Sequence, residues 1–124
     1  MRPTLATVLS PRPWESRLVD AALESGLVRL VGRCYNPADV AHVDVVVVGT
    51  ETPWLNANRI ARWRLQGIAV IGVFPAGDRV AVDLLCRSDV DQLFVENAAA
   101  LLILRAARDL AGREAFSSLP KVAP

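Results

Sequence analysis

Apolar and polar positions along the chain switch period repeatedly, and the two periods alternate. Short, largely apolar runs fall at residues 5–9, 27–34, 43–48, 68–74 and 92–95, and the stretches between them return an apolar residue every three to four positions. The runs predict strands and the stretches predict amphipathic helices. Pro13 suits the first turn of a helix over 13–24, because its missing N–H would be unpaired there anyway, and Gly26 stands where helices prefer to end. Asn36 and Pro37 predict a cap and first residue for a short helix through residue 41. Further helices are expected over 55–65, stopped by Gln66 and Gly67; over 79–87, capped by Asp78; and over 98–111, capped by Asn97 and ended by Gly112. Strand–helix alternation with connections this short demands right-handed crossovers and a parallel sheet. The expected fold class is α/β, a doubly wound five-stranded parallel sheet of order 2-1-3-4-5.

Composition narrows the picture. The 124 residues suit one domain, expected at 1–112, and residues 113–124 read as a tail or linker of a longer protein. A hydrophobic share of 52% against 22% charged excludes a disordered chain. A net charge of +1 excludes a general nucleic-acid binder. The cations are almost all arginine, with Lys121 alone as lysine. Arg59, Arg62 and Arg64 with Trp54 and Trp63 are the one basic, aromatic stretch, read as a solvated helix face with Trp63 against the sheet. Cys34, Cys86 and His42 lie outside any metal-like spacing, so no metal, cofactor or disulfide is expected and a reduced, cytoplasmic setting is. No signal peptide is visible in Met1-Arg2-Pro3-Thr4, and the apolar run at 98–104 is far short of the ~20 residues that span a bilayer.

The central strand carries the candidate chemistry. Val43-Asp44-Val45-Val46-Val47-Val48-Gly49-Thr50-Glu51-Thr52-Pro53 reads as a strand buried on both faces that opens onto a short polar loop. Sites in parallel α/β sheets sit at this carboxyl end. The segment resembles the third strand and loop of CheY-like receiver domains, and the resemblance extends as a pattern over most of residues 5–111. It implies a three-layer, CheY-like or flavodoxin-like sandwich. It also implies an acidic pair after the first strand to hold magnesium, an aspartate after the third to take a phosphoryl group, a hydroxyl after the fourth and a lysine after the fifth. Here the acidic pair falls on Ser10 and Pro11, the acceptor on Gly49, the hydroxyl on Phe74 and the lysine on Val95 or Glu96. Only Glu15 and Glu51 could approach the site, and phosphoryl transfer lacks charge stabilisation. Trp14 either caps this pocket or packs at the helix start.

Pro13-Trp14-Glu15 with Leu18-Val19 and Ala22-Leu23, then Arg33-Cys34, then Gly67-Ile68-Ala69-Val70-Ile71-Gly72-Val73, are similar to the amino-terminal pseudo-receiver of actinobacterial TadZ/CpaE-type pilus-assembly proteins. That resemblance implies a MinD/ParA-like ATPase elsewhere in the protein, since no G-x-x-x-x-G-K-[ST] motif occurs here, and a localisation role that can be polar in the cell. The helices expected at 79–87 and 98–111 hold more apolar residues than one stripe needs. Val82, Leu85, Leu101, Leu102 and Arg105 are therefore candidates for a homodimer face or for docking a polar or pilus-machinery protein. A second reading stays open: a flavodoxin-like enzyme or small-ligand domain using the loops at 10–12 and 49–51, with Arg12 holding an anion and Thr50 donating a hydrogen bond.

Overall fold

The valines that run together in sequence separate in space. In a computed structural model, which describes the backbone of residues 2–117 and the side chains of 2–112, Val45 and Val47 belong to one core and Val46 and Val48 to another. Successive strand residues point to opposite faces, so a strand covered on both sides must be apolar at every position. This one is β3 (Val45–Gly49), buried throughout. It lies at the centre of a parallel sheet with β1 (Thr4–Val8), β2 (Arg29–Cys34), β4 (Ala69–Phe74) and β5 (Gln92–Val95), in the order β2-β1-β3-β4-β5. The expected α/β doubly wound sheet of order 2-1-3-4-5 is the one observed. Asp44, expected in the strand, instead accepts from the amide of Thr4 at 2.8 Å and its hydroxyl at 3.1 Å, fastening the amino-terminal end of the sheet.

Two helices cover each face. Trp14, Leu18 and Ala22 of α1 (Pro13–Ser25) join Ile103, Leu104, Ala107 and Leu110 of α4 (Ala100–Ser117) over one face. Ile60 and Trp63 of α2 (Ala57–Leu65) and Leu85 of α3 (Arg79–Arg87) cover the other. Gly26 ends α1 in the left-handed conformation, φ 69°, and the Asp78 carboxylate caps α3 by accepting from Ala81 N at 3.0 Å.

Several boundaries differ from expectation. The helix expected through residue 41 is a single 3-10 turn, Pro37–Asp39, and Asn36 contributes its carbonyl to Asp39 N rather than a side-chain cap. α2 starts at Ala57, two residues inside the expected start, and Asn56 caps it by accepting from Arg59 N at 2.9 Å. Asn97 does not cap α4: the Ala98 amide is turned back onto Val95 O at 2.9 Å and the helix starts at Ala100. Gly112 does not end it, because the helix continues to Ser117. Glycine costs a helix interior only about 1 kcal/mol, and the following residues carry the pattern on. The rest of the expected tail, 118–124, lies outside the described residues.

The parity of β2 is broken. Leu30 pairs with Leu5 but Gly32 pairs with Ala6, so Val31 is an extra residue, 45% exposed. Leu30 thus packs toward α1, while Cys34 packs against the opposite core.

Candidate functional site

The carboxyl ends of β1, β3, β4 and β5 lie along one edge of the sheet: β3 and β4 end on Gly49 and Phe74, and the loops after β1 and β5 carry Ser10, Pro11 and Glu96. Gly49 is buried, and a Cβ there would fall on the Glu51 carboxylate. The Thr52 amide donates to Gly49 O at 3.1 Å and the Thr50 amide to Val73 O at 2.9 Å, so the loop turns tightly and carries Glu51 back over the strand end. Trp14 Nε1 lies 3.4 Å from each Glu51 oxygen, two long contacts that cover the carboxylate from the α1 side. Trp14 is 2% exposed and belongs to the core, so it both packs at the helix start and closes the pocket.

The rest of the site is an ion-paired tie. Arg12 Nε and Nη2 donate to the two oxygens of Glu96 at 2.5 and 2.6 Å, and Arg17 Nη2 donates to the Glu96 carbonyl at 2.9 Å. The hydrogen bond and charge of Arg12 hold the Glu96 carboxyl below the usual carboxylate range, and the same pairing raises the Arg12 guanidinium. Arg12 is therefore already occupied, which removes the anion holder that a flavodoxin-like ligand site would use. Ser10 Oγ accepts from Arg12 N at 3.1 Å and orders the turn; Pro11 is exposed and Phe74 half-buried. Glu15 does not reach this pocket. It is fully buried, accepts from Thr7 Oγ1 at 2.7 Å and pairs with both Arg33 Nε and Nη2. The extra residue in β2 is what turns Arg33 toward it. No group of three or more His, Cys, Asp or Glu residues able to hold a metal occurs among the described residues.

The residues proposed for an interaction face divide. Leu101 and Leu102 are 46% and 53% exposed, Arg105 is exposed and Val82 half-buried. Leu85 is corrected: it is wholly enclosed, its two Cδ atoms 2.7 Å from where a Gly72 Cβ would stand. Missing a side chain, Gly72 lets α3 close on the sheet and swallow the leucine. A groove of about 390 Å³ runs along β5 and α4 between Phe94, Leu102, Arg105 and Asp109. Arg108 lies 3.8 Å from Asp109, and Asp83 pairs with Arg87. Cys34 and Cys86 are both free thiols, and Cys34 is raised by burial.

Sequence reasoning missed two roles here. Glu51 was legible as a nearby carboxylate but not as the group folded back over Gly49, and Arg12 was read as available to an anion. The available signal was the opposite charge of Arg12 and Glu96 at two loops that the fold brings together.

No family model matches the chain, and no curated protein matches it in sequence. Solved structures do. The signal receiver domain of a NarL response regulator from Mycobacterium tuberculosis aligns with TM-score 0.76 at 18% identity, over 90% of this chain and 97% of that one. A LuxR-family DNA-binding response regulator from Staphylococcus aureus aligns with TM-score 0.73 at 15% identity, over 88% and 98%. The signal receiver domain of a modulated diguanylate cyclase from Desulfovibrio desulfuricans G20 aligns with TM-score 0.75 at 15% identity, over 95% and 100%. The fold is that of a CheY-like receiver. No helix among the described residues is long and apolar enough to cross a membrane.

Proposed function

We propose that this chain is a receiver-type interaction module that does not take up phosphate. The observation that carries the reading is the Glu51 carboxylate lying over Gly49, in the space an acceptor side chain would need. A carboxylate is itself an anion, and with the Arg12 guanidinium committed to Glu96 it repels a phosphoryl donor. What remains as output is surface. The module pairs with a second copy through α3, β5 and α4, using Val82, Leu101, Leu102 and Arg105, or docks a polar or pilus-machinery protein there. The exposure of two adjacent leucines beside an aromatic-floored groove supports this face.

The finer reading is the pseudo-receiver of a TadZ/CpaE-type pilus-assembly protein acting in the cytoplasm, polar through its partners. Pairing would raise the effective concentration of an attached ATPase domain and favour its dimer. It rests on the segments quoted from the sequence, Pro13-Trp14-Glu15 and Gly67 to Val73 foremost.

Incubation with acetyl phosphate and magnesium, followed by intact mass, tests the first part; no added phosphoryl group is expected, and a stoichiometric adduct ends the reading. Sedimentation at several concentrations tests the second. Self-association that Leu102→Asp leaves unchanged excludes the chosen face.

A further inference from the structure

Glu96 occupies the junction between the candidate site and the candidate face. Its amide donates to Phe74 O at 2.8 Å, ending β5, and α4 starts four residues later with Leu101 and Leu102 in its first turn. Three bonds from the α1 side converge on this one residue: two from the Arg12 guanidinium to its carboxylate and one from Arg17 to its carbonyl. Arg12 immediately precedes α1 and Arg17 lies within it, and α1 packs beside α4 over the same core. Both the side chain and the main chain of the junction are thus held, and by groups on one element. A bidentate arginine–carboxylate pair fixes orientation as well as distance, which a single contact does not.

We infer that Arg12 and Arg17 with Glu96 form a built-in latch that steadies the β5–α4 connection, and so favours one arrangement of the start of α4 using the chain's own residues. This rests on the interaction-face reading above and assigns its regulation. All parts of the latch belong to the chain, so the face needs no incoming signal to be set. The connection itself has little else to hold it: Asn97 and Ala99 are exposed, and the Ala98 amide bonds only to the adjacent turn. The pair is partly exposed, 40% and 25% for the two side chains, so its hold is modest and salt-sensitive.

Amide hydrogen exchange on the full chain tests the latch, with self-association measured alongside. In Glu96→Gln, and separately in Arg12→Ala with Arg17→Ala, amides of residues 96–103 should exchange about two- to fivefold faster, while β3 and β4 keep their protection. The swapped variant, Arg12→Glu with Glu96→Arg, should return exchange toward the wild-type rate, which a merely structural loss at either position would not do. Unchanged exchange at 96–103 in both latch variants overturns the inference, as does acceleration spread evenly over the whole molecule. Leu102→Asp separates this from the reading beneath it. If that change leaves association intact, the face is wrong and takes the latch's assigned role with it. If it abolishes association and the latch variants leave exchange untouched, the face stands and the latch falls.

Discussion

A methyl group on Gly49 would land on the carboxylate of Glu51, so the two positions are one unit. The colliding atoms are the end of a flexible, half-buried side chain, and that chain can swing outward. Gly49→Ala should therefore cost little, under about 1 kcal/mol, yet expel the carboxylate from beneath Trp14. Trp14 fluorescence reports the expulsion: a shift is expected in Gly49→Ala, a similar one in Glu51→Ala, and no sum of the two in the double variant. Additive shifts would show that the residues do not meet. Gly49 stands out in the sequence because a glycine ending a run of valines can be read directly. Where the neighbouring Glu51 points could not, since the turn that redirects it depends on main-chain bonds from Thr50 to Val73 and from Thr52 to Gly49.

At the level of elements, the sheet was legible because the central strands β3 and β4 are unbroken apolar runs and the segments between strands carry apolar stripes. Parallel pairing followed from handedness and short connections, and the strand order from the commonest doubly wound arrangement. The parts that escaped are those set by neighbours rather than by period. Leu85 looks like surplus apolar surface on α3, and only the bare backbone of Gly72 beneath it explains its burial. Gly72→Ala should push α3 away from β4, because both Leu85 Cδ atoms would lie 2.7 Å from the new Cβ. The expected loss is about 1–3 kcal/mol by chemical denaturation, the range for overpacked cores. Leu85→Val should recover part of it in the double variant; no loss in Gly72→Ala alone would refute the close approach. The same limit hid the pairing of Arg33 with Glu15, since a single extra residue in β2 exchanges which side chains face α1.

At the scale of the whole molecule, the side-chain bond of longest reach among the described residues is Arg12 to Glu96, 84 positions apart in sequence, which ties the loop after β1 to the loop after β5. Arg12 holds Glu96 below its ordinary value of 4.5. A carboxyl with a depressed folded-state pKa contributes stability above its unfolded value and loses it as pH falls through the folded one. Wild type should therefore exceed Glu96→Gln in stability by a constant margin at neutral pH, and the margin should close on acidification below 4.5. Parallel denaturation curves across pH check this, and a margin persisting into strong acid would assign the effect to something other than the charge.

The odd residue in β2 has an effect reaching beyond the molecule. An unbroken outer strand invites a neighbour's backbone to zip alongside it, copy after copy. Here that border is crooked at Val31 and studded with arginine at 29 and 33, so growth by strand addition is discouraged on this side. A strand arriving at this border meets no straight row of backbone groups to pair with.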